Sequence, residues 1–234
     1  MPNKNLQDVQ LKDSDSLWGG FWDIRKTRYL GRLLAWVRKR FINKAFVKFF
    51  LKSSHKGTLI EAGCGSADVA LQISKIRGDQ LVLVDISSNA LNLAKKNATE
   101  LNLKASFIQC NIEDLSMQVK QTEDSIAFNI GVIEHFKDCT NVLREMLKVS
   151  GRYSIAIVPE NSLFWKTLIW IELRLKLLPE DLYAYFFNQK ELEGLAEKIG
   201  AKINWTKRIR VLGVFPYLAI CLNFPKPETF SKQI

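Results

Sequence analysis

Short apolar runs alternate with amphipathic stretches along the chain from residue 58 onward. The predicted strands are 58–62, 80–85, 105–110, 125–130 and 151–159, and the predicted helices lie near 67–76, 88–101, 139–148 and 189–199. Two further apolar runs, 201–212 and 214–222, predict a closing strand pair. Continuous apolar strands separated by helices are typical of a parallel sheet covered on both faces. The pattern therefore predicts an α/β fold with a doubly wound, mostly parallel, seven-stranded sheet and helices on both faces.

Residues 160–187 interrupt this alternation between the fifth strand and the last helix. Apolar residues recur there at steps of 4, 3, 4 and 3, at Phe164, Leu168, Ile171, Leu175 and Leu178. This spacing predicts an amphipathic helix, with two tryptophans off its main stripe. The segment is long enough to cover a site, so we expect a helical lid insertion.

Helical spacing also precedes the first strand, in two different phases. The first phase comprises Leu30, Leu33, Leu34, Val37 and Phe41, and the second Ile42, Ala45, Phe46 and Phe49. The change of phase predicts two N-terminal helices, the second of which packs on the core. The expected organisation is a disordered tail at 1–17, a basic helical module at 18–55, and a core at 56–234 that contains the insertion.

Positive charge is concentrated in the N-terminal module. The chain has a formal net charge of +10, and residues 25–56 hold eleven Lys and Arg and no acid, which leaves 10 − 11 = −1 for the rest. Such asymmetry indicates a partner that is an anionic surface or an anionic ligand, or else a helix face that is simply solvated.

The four cysteines include no C-x-x-C pair, which favours a reducing compartment over a disulfide framework or zinc knuckle. With a polar N-terminus and no uncharged membrane-length run, we expect a cytoplasmic protein.

The stretch LIEAGCGSAD at 59–68 resembles a strand that enters a glycine turn and opens a helix. Gly63 and Gly65 allow the backbone to approach a ligand closely. A dinucleotide turn needs a third glycine where this chain has Asp68, and no Gly-Lys-Ser/Thr follows. A fixed carboxylate at a helix N-terminus disfavours a phosphate, and Glu61 adds a second acid. The turn therefore suits a ligand that is a cationic nucleoside without phosphate. S-adenosylmethionine is such a ligand: it has a ribose that the glycines can approach and positive charge that the acids can attract.

Five segments in order resemble the motifs of the class I S-adenosylmethionine-dependent methyltransferases of the small-molecule type, which have a Rossmann-like fold. They are LIEAGCGSA, LVLVDIS, FIQCNIEDL, FNIGVIEHFKD and REMLKVSGRYSIAIVPENS. The match spans roughly residues 56–160, and Ala67 replaces the third glycine of the family's E/D-x-G-x-G-x-G signature. The resemblance implies S-adenosylmethionine as the cofactor, S-adenosylhomocysteine as its product, and methyl transfer to a small acceptor.

The resemblance also implies roles for the first two motifs. Glu61 would orient the methionine ammonium, and Gly63 and Gly65 would let the backbone approach the ligand. Asp85, 24 residues after Glu61, would accept both ribose hydroxyls, and Ile86 would pack on the adenine.

The third and fourth motifs would complete the cofactor site. Asn111 stands where the family often has Asp, and its carbonyl oxygen can still accept from the adenine amine. Ile112 would present its backbone N–H to the adenine edge. Asn129 and Gly131 would line the methionine end.

The methyl group should emerge near the fourth strand, where Glu134 and His135 follow one another. An oxygen acceptor needs a general base, and histidine is the usual one, so these two residues are the catalytic candidates. The alternative is a histidine that packs to support the turn. The ubiquinone-type O-methyltransferases carry a related E-x-x-E-H turn that can hold a metal. Here Gly131 replaces its first acid, so the sequence predicts no metal.

Three kinds of partner remain open for the two amphipathic modules. The insertion and the cationic helix suggest a hydrophobic or amphiphilic acceptor, or a peripheral site on the inner, anionic face of a membrane. A helical lid over a soluble substrate is the simpler alternative. An RNA-modifying methyltransferase is a further alternative, because basic and aromatic residues alternate in the module. Against RNA, the fourth motif is not the N-P-P-Y/F type that acts on a flipped base.

Overall fold

A seven-stranded sheet forms the centre of the computed structural model, which describes residues 36, 38–52, 56–175 and 184–224. The strands are β1 (Thr58–Ala62), β2 (Gln80–Asp85), β3 (Ser106–Gln109), β4 (Ile126–Ile130), β5 (Tyr153–Pro159), β6 (Lys202–Val211) and β7 (Phe215–Asn223). They lie in the order β3-β2-β1-β4-β5-β7-β6. Six strands run in the same direction, and β7 runs opposite to them. The predicted doubly wound, mostly parallel, Rossmann-like sheet is confirmed.

Helices of the described residues cover both faces of this sheet. They are α1 (Lys44–Leu51), α2 (Asp68–Arg77), α3 (Ser88–Glu100), α4 (Leu115–Gln118), α5 (Thr140–Val149), α6 (Leu163–Arg174) and α7 (Gln189–Lys198). Helices α1, α2 and α3 contribute to the hydrophobic cluster on one face, and α5 and α7 to the cluster on the other. Successive strand residues enter opposite clusters, which is why the strands are apolar throughout.

The N-terminal module reaches the core through α1. Its buried face contains Phe46, Val47 and Phe50, and the Phe50 ring lies 4.7 Å from that of Phe128 on β4. A six-residue π-helical segment, Arg38–Asn43, directly precedes α1. A π turn holds extra residues and rotates the apolar face, which accounts for the change of phase in the sequence. The predicted tail, most of the first predicted helix and His55 lie outside the described residues.

Helix α6 forms most of the described part of the insertion, and its buried face matches the predicted stripe only in part. Phe164 and Leu168 of the stripe pack against the core, whereas Ile171 and Leu175 are 40% and 46% exposed. Trp165, which the stripe left out, is buried and donates from Nε1 to the Pro216 carbonyl at 2.7 Å. The stripe prediction is therefore right for its first two residues and wrong for the next two, because the indole anchors a neighbouring face of the helix. None of the described helices is long and apolar enough to cross a membrane.

Candidate active site

The residues predicted to bind the cofactor follow four adjacent strands. Glu61 is near the end of β1 and Asp85 ends β2, while Asn111 follows β3 and Gly131 follows β4. The sheet order β3-β2-β1-β4 places these carboxyl ends side by side. The strand order reverses between β1 and β4, and such a switch point opens the crevice where α/β sheets bind ligands. The fold therefore brings together residues that lie far apart in the sequence.

The glycine turn after β1 is shaped for close approach. Gly63 has φ +74°, and a Cβ built there would lie 2.7 Å from Val132 Cγ2. The backbone amides of Gly63 and Cys64 both donate to the Val84 carbonyl at 2.8 Å. Only glycine combines this conformation with this contact, since a side chain would be strained and would also collide with Val132.

The Asp85 carboxylate joins the glycine turn to the turn after β2. One oxygen accepts from the Gly65 amide at 2.7 Å and the other from the Ser87 amide at 2.9 Å. A carboxylate oxygen can accept more than one hydrogen bond, so these two bonds are compatible with further donors such as ribose hydroxyls. The predicted role of Asp85 thus fits its geometry, and the carboxylate has a structural role as well.

The turn has a negative electrostatic environment. Burial raises the pKa of the Cys64 thiol well above its ordinary value, and the nearby carboxylates of Asp85 and Glu61 raise it further. Glu61 is itself only 5% exposed on β1. Burial disfavours any charge, but the two carboxylates attract a positive one, so their part of this environment suits a ligand with a sulfonium and an ammonium group.

The adenine side is held by side chains from β3 and the turn after it. Gln109 donates from Nε2 to the Ile86 carbonyl at 3.0 Å, which fixes the residue predicted to pack on adenine. Asn111 Oδ1 accepts from the Glu113 amide at 3.1 Å, so one of its lone pairs is occupied locally. Ile112 is buried at the start of the same short turn, and its predicted contact with the adenine edge stays a prediction.

Asn129 and Gly131 both lie at the carboxyl end of β4, where the sequence predicts the methionine end. The Asn129 side chain is fully buried, and its Nδ2 donates to Met146 Sδ at 2.9 Å. Gly131 has φ +69°, and its amide donates to the Ile157 carbonyl at 2.9 Å. The contacts of both residues with the cofactor stay predictions.

Glu134 and His135 form the end of a short 3₁₀ turn, Ile133–His135, that follows β4. Glu134 is buried and His135 is half-buried. The Glu134 carbonyl accepts from the Tyr185 amide at 2.8 Å, and the Tyr185 hydroxyl donates to Glu191 Oε1 at 2.7 Å. The chain returning from the insertion therefore braces this turn. Among the described residues there is no cluster of three or more metal-ligating side chains.

Several site-supporting residues had no recognisable signal in the sequence. Gln109 donates to the Ile86 carbonyl and Tyr185 to the Glu134 carbonyl, both of which belong to other elements. Glu191 accepts from the Tyr185 hydroxyl and also from the Asn188 amide, in a capping box whose N-x-x-E spacing is readable from the sequence. Polar residues at exposed positions are common, and no spacing rule marks Gln109 or Tyr185. Only the folded chain shows their partners.

The fold and the site together define a class I S-adenosylmethionine-dependent methyltransferase. Carboxylates at the ends of β1 and β2, a glycine cradle that a Cβ would fill, and a negative environment all fit that cofactor. The chain belongs to the family described as "Methyltransferase domain", whose model matches residues 53–197, more than half of the 234 residues. The predicted enzyme class and cofactor are thus confirmed.

Comparisons with individual proteins agree with this class. The chain is 23% identical over 203 residues to a ubiquinone biosynthesis O-methyltransferase of Yersinia pestis (strain Pestoides F), covering 83% of this chain and 80% of the relative. Magnesium protoporphyrin IX methyltransferase from Synechocystis PCC 6803, solved with bound SAH, has a TM-score of 0.68 at 13% identity, covering 92% and 99% of the two chains. Geranyl diphosphate C-methyltransferase from Streptomyces coelicolor A3(2) has a TM-score of 0.60 at 14% identity, covering 78% and 80%.

The Gly63–Val132 contact gives a direct test of the glycine turn. We expect Gly63→Ala to weaken S-adenosylhomocysteine binding at least tenfold in calorimetry, because the new Cβ has to displace the Val132 side chain. Gly200→Ala is the matched control, since Gly200 has φ +69° but nothing within 4 Å of its Cβ position. Adding Val132→Ala to Gly63→Ala should restore part of the affinity. Equal losses in Gly63→Ala and Gly200→Ala would contradict this view of the turn.

Proposed function

We propose that this enzyme methylates an oxygen or nitrogen atom of a small hydrophobic or amphiphilic acceptor, with His135 as the group that receives the acceptor's proton. The observation that carries the proposal is the contact between two turns. Val132 packs on Gly63 in the cofactor turn, and His135 lies three residues further along the same turn. A histidine in this position would lie near the methyl group of a cofactor bound in the glycine turn.

S-adenosylmethionine supplies a methyl group on a sulfonium, and its positive charge is lost when the methyl leaves. The donor is already activated, so most of the acceleration comes from positioning. In the proposed mechanism Asp85 binds the ribose, Glu61 orients the ammonium group, and the glycine turn fixes the ligand's position. His135 accepts the proton of a hydroxyl acceptor as the new bond to carbon forms. For an amine with a free lone pair, the same side chain would orient the acceptor.

The names of the similar proteins support an acceptor with a large apolar part. They refer to ubiquinone, to magnesium protoporphyrin IX and to geranyl diphosphate. Each of these molecules combines an apolar body with polar groups. The exposed face of α6 agrees with such an acceptor, because large apolar residues lie on it: Leu163, Trp170, Ile171 and Leu175.

We further propose that α1 and α6 form a surface for an anionic membrane. The exposed row of α1 and of the residues that flank it consists of bases four residues apart: Arg40 in the π-helical segment, Lys44 and Lys48 in α1, and Lys52 directly after it. Like charges at this spacing repel one another along a helix, so the row is unfavourable for the isolated helix. An anionic surface would offset this repulsion, at about 1 kcal/mol per base near the membrane.

The two helices meet around one residue of β7. The Tyr217 ring lies 5.0 Å from that of Phe46 on α1 and 5.1 Å from that of Trp165 on α6. Beside them, the β6–β7 turn exposes Leu212 and Val214. The two helices therefore lie on the same face of the sheet, and one carries exposed bases while the other carries exposed apolar residues, a combination typical of proteins that bind at the headgroup level.

Calorimetry with the cofactor and its product tests the binding site. We expect Asp85→Ala to weaken binding by about 1.5–3 kcal/mol, the range for hydrogen bonds that involve a charged group. Asp124→Ala is the control, because Asp124 is exposed and precedes β4 at the opposite edge of the sheet. Unchanged affinity of Asp85→Ala, or preference of the wild type for NAD, would refute the assignment.

Release of S-adenosylhomocysteine with a series of alkylated catechols as probe acceptors tests His135. We expect His135→Ala to lower turnover by about 10²–10⁴-fold while cofactor affinity is kept, because only the proton acceptor is removed. His135→Gln keeps much of the side-chain volume and should be equally slow. A loss below tenfold would favour a packing role for His135.

Vesicle sedimentation tests the membrane surface. We expect binding to anionic vesicles that falls as salt rises, because exposed charges are screened. Replacing Arg40, Lys44, Lys48 and Lys52 by Gln should abolish the anionic preference, and Trp170→Ala should weaken the salt-resistant part. The control replaces an equal number of exposed lysines elsewhere, at Lys75, Lys104, Lys120 and Lys190.

Two outcomes of the vesicle experiment would contradict a membrane surface. Binding to no vesicle at any salt concentration would indicate a lid over a water-soluble acceptor. Displacement from anionic vesicles by a low concentration of polynucleotide would indicate that the basic row binds RNA.

A further inference from the structure

Ala67, the last residue of the glycine turn, has a left-handed backbone. Its φ is 54° and its ψ is 22°, and its side chain is buried directly before α2. This conformation costs a non-glycine residue about 1–2 kcal/mol, because Cβ crowds the following carbonyl oxygen. Asn102 and Leu212 share the conformation. Asparagine tolerates it, however, and Leu212 is exposed in the β6–β7 turn.

Three side chains hold the residues on either side of Ala67. Asn97 on α3 donates from Nδ2 to the Ser66 carbonyl at 2.9 Å. The Ser66 hydroxyl donates to Asp68 Oδ2 at 2.9 Å, and Asn43 Nδ2 donates to the same oxygen at 3.5 Å. Both neighbours of the strained residue are therefore fixed by side-chain bonds, some to residues distant in the sequence. We call Asn43, Asn97 and Asp68 the turn clamp.

We infer that the turn clamp positions the cofactor turn by holding Ala67 in the left-handed conformation, with Asn97 as its main positioning residue. The inference rests on the proposal that this turn binds S-adenosylmethionine. Asn97 acts on the ligand through the backbone of Ser66 and is not assigned a contact with the cofactor.

The physical reason is the population of the binding-competent turn. The left-handed Ala67 closes the turn whose Gly65 amide donates to Asp85, so its conformation sets how the turn and that carboxylate meet. Without the clamp, Ala67 can relax to a less strained conformation, and the apparent Kd rises in inverse proportion to the competent fraction. A glycine at position 67 would enter the left-handed region without this steric cost. Loss of the clamp should therefore raise Kd when residue 67 is alanine, and much less when residue 67 is glycine.

A double-mutant cycle between positions 97 and 67 tests this inference, with S-adenosylhomocysteine as the probe in calorimetry. We expect Asn97→Ala to raise Kd by about three- to tenfold, in keeping with the loss of one intramolecular hydrogen bond. In the Ala67→Gly background the same change should raise Kd less than twofold. Asn97→Asp repeats the test with little change of volume, because a carboxylate cannot donate to the Ser66 carbonyl.

The control is Asn204→Ala, which removes an amide that donates to Cys221 Sγ at 3.6 Å in the β6–β7 pair. It should leave Kd unchanged in both backgrounds. Melting temperatures of all variants show whether any is unfolded at the assay temperature. If Asn97→Ala is unfolded there, the cycle is carried out with Asn97→Asp. An equal increase of Kd in the two backgrounds, or no increase in either, would overturn the clamp. Failure of the wild type to bind S-adenosylhomocysteine would instead refute the proposed cofactor site.

Discussion

The Asp85 carboxylate accepts hydrogen bonds from two amides in different turns, and the arrangement of the candidate site depends on this pairing. Gly65 belongs to the turn after β1 and Ser87 to the turn after β2. One buried acid therefore fixes the relative position of the glycine cradle and of the loop that leads to Ile86. In the proposed function the same carboxylate also binds the ribose, so one group would serve both local folding and ligand binding.

Charge is divided between the inside and the outside of the molecule. The cofactor turn contains the buried carboxylates of Glu61 and Asp85, whose negative charge favours a cationic ligand. The exposed row of α1 is entirely basic and would attract anions instead. In the proposed function the two regions would therefore bind different partners, a sulfonium in the crevice and an anionic surface outside it, without competing for the same ligand.

The N-terminal module is connected to the cofactor turn through packing and through one polar contact. Phe50 of α1 packs on Phe128 beneath the sheet's carboxyl edge, and Asn43 reaches Asp68 at the start of α2. A movement of α1, such as one caused by docking at a surface, would therefore displace residues of the glycine turn after β1. Asn43 belongs to both the π-helical segment and the turn clamp.

The sequence by itself determined the sheet and the chemical character of the cofactor turn. Apolar runs such as 80–85 and the Gly63–Gly65 spacing are local patterns, and local patterns are readable because they set backbone conformation directly. The tertiary structure alone decided the strand order, the buried face of α6, the direction of the Asn129 side chain and the partners of Ala67's neighbours. These depend on contacts between distant residues, as with Asn97 and Ser66, which are 31 positions apart. Hydropathy cannot rank such contacts, because an apolar strand or a broad apolar helix face fits more than one neighbour until the rest of the core is in place.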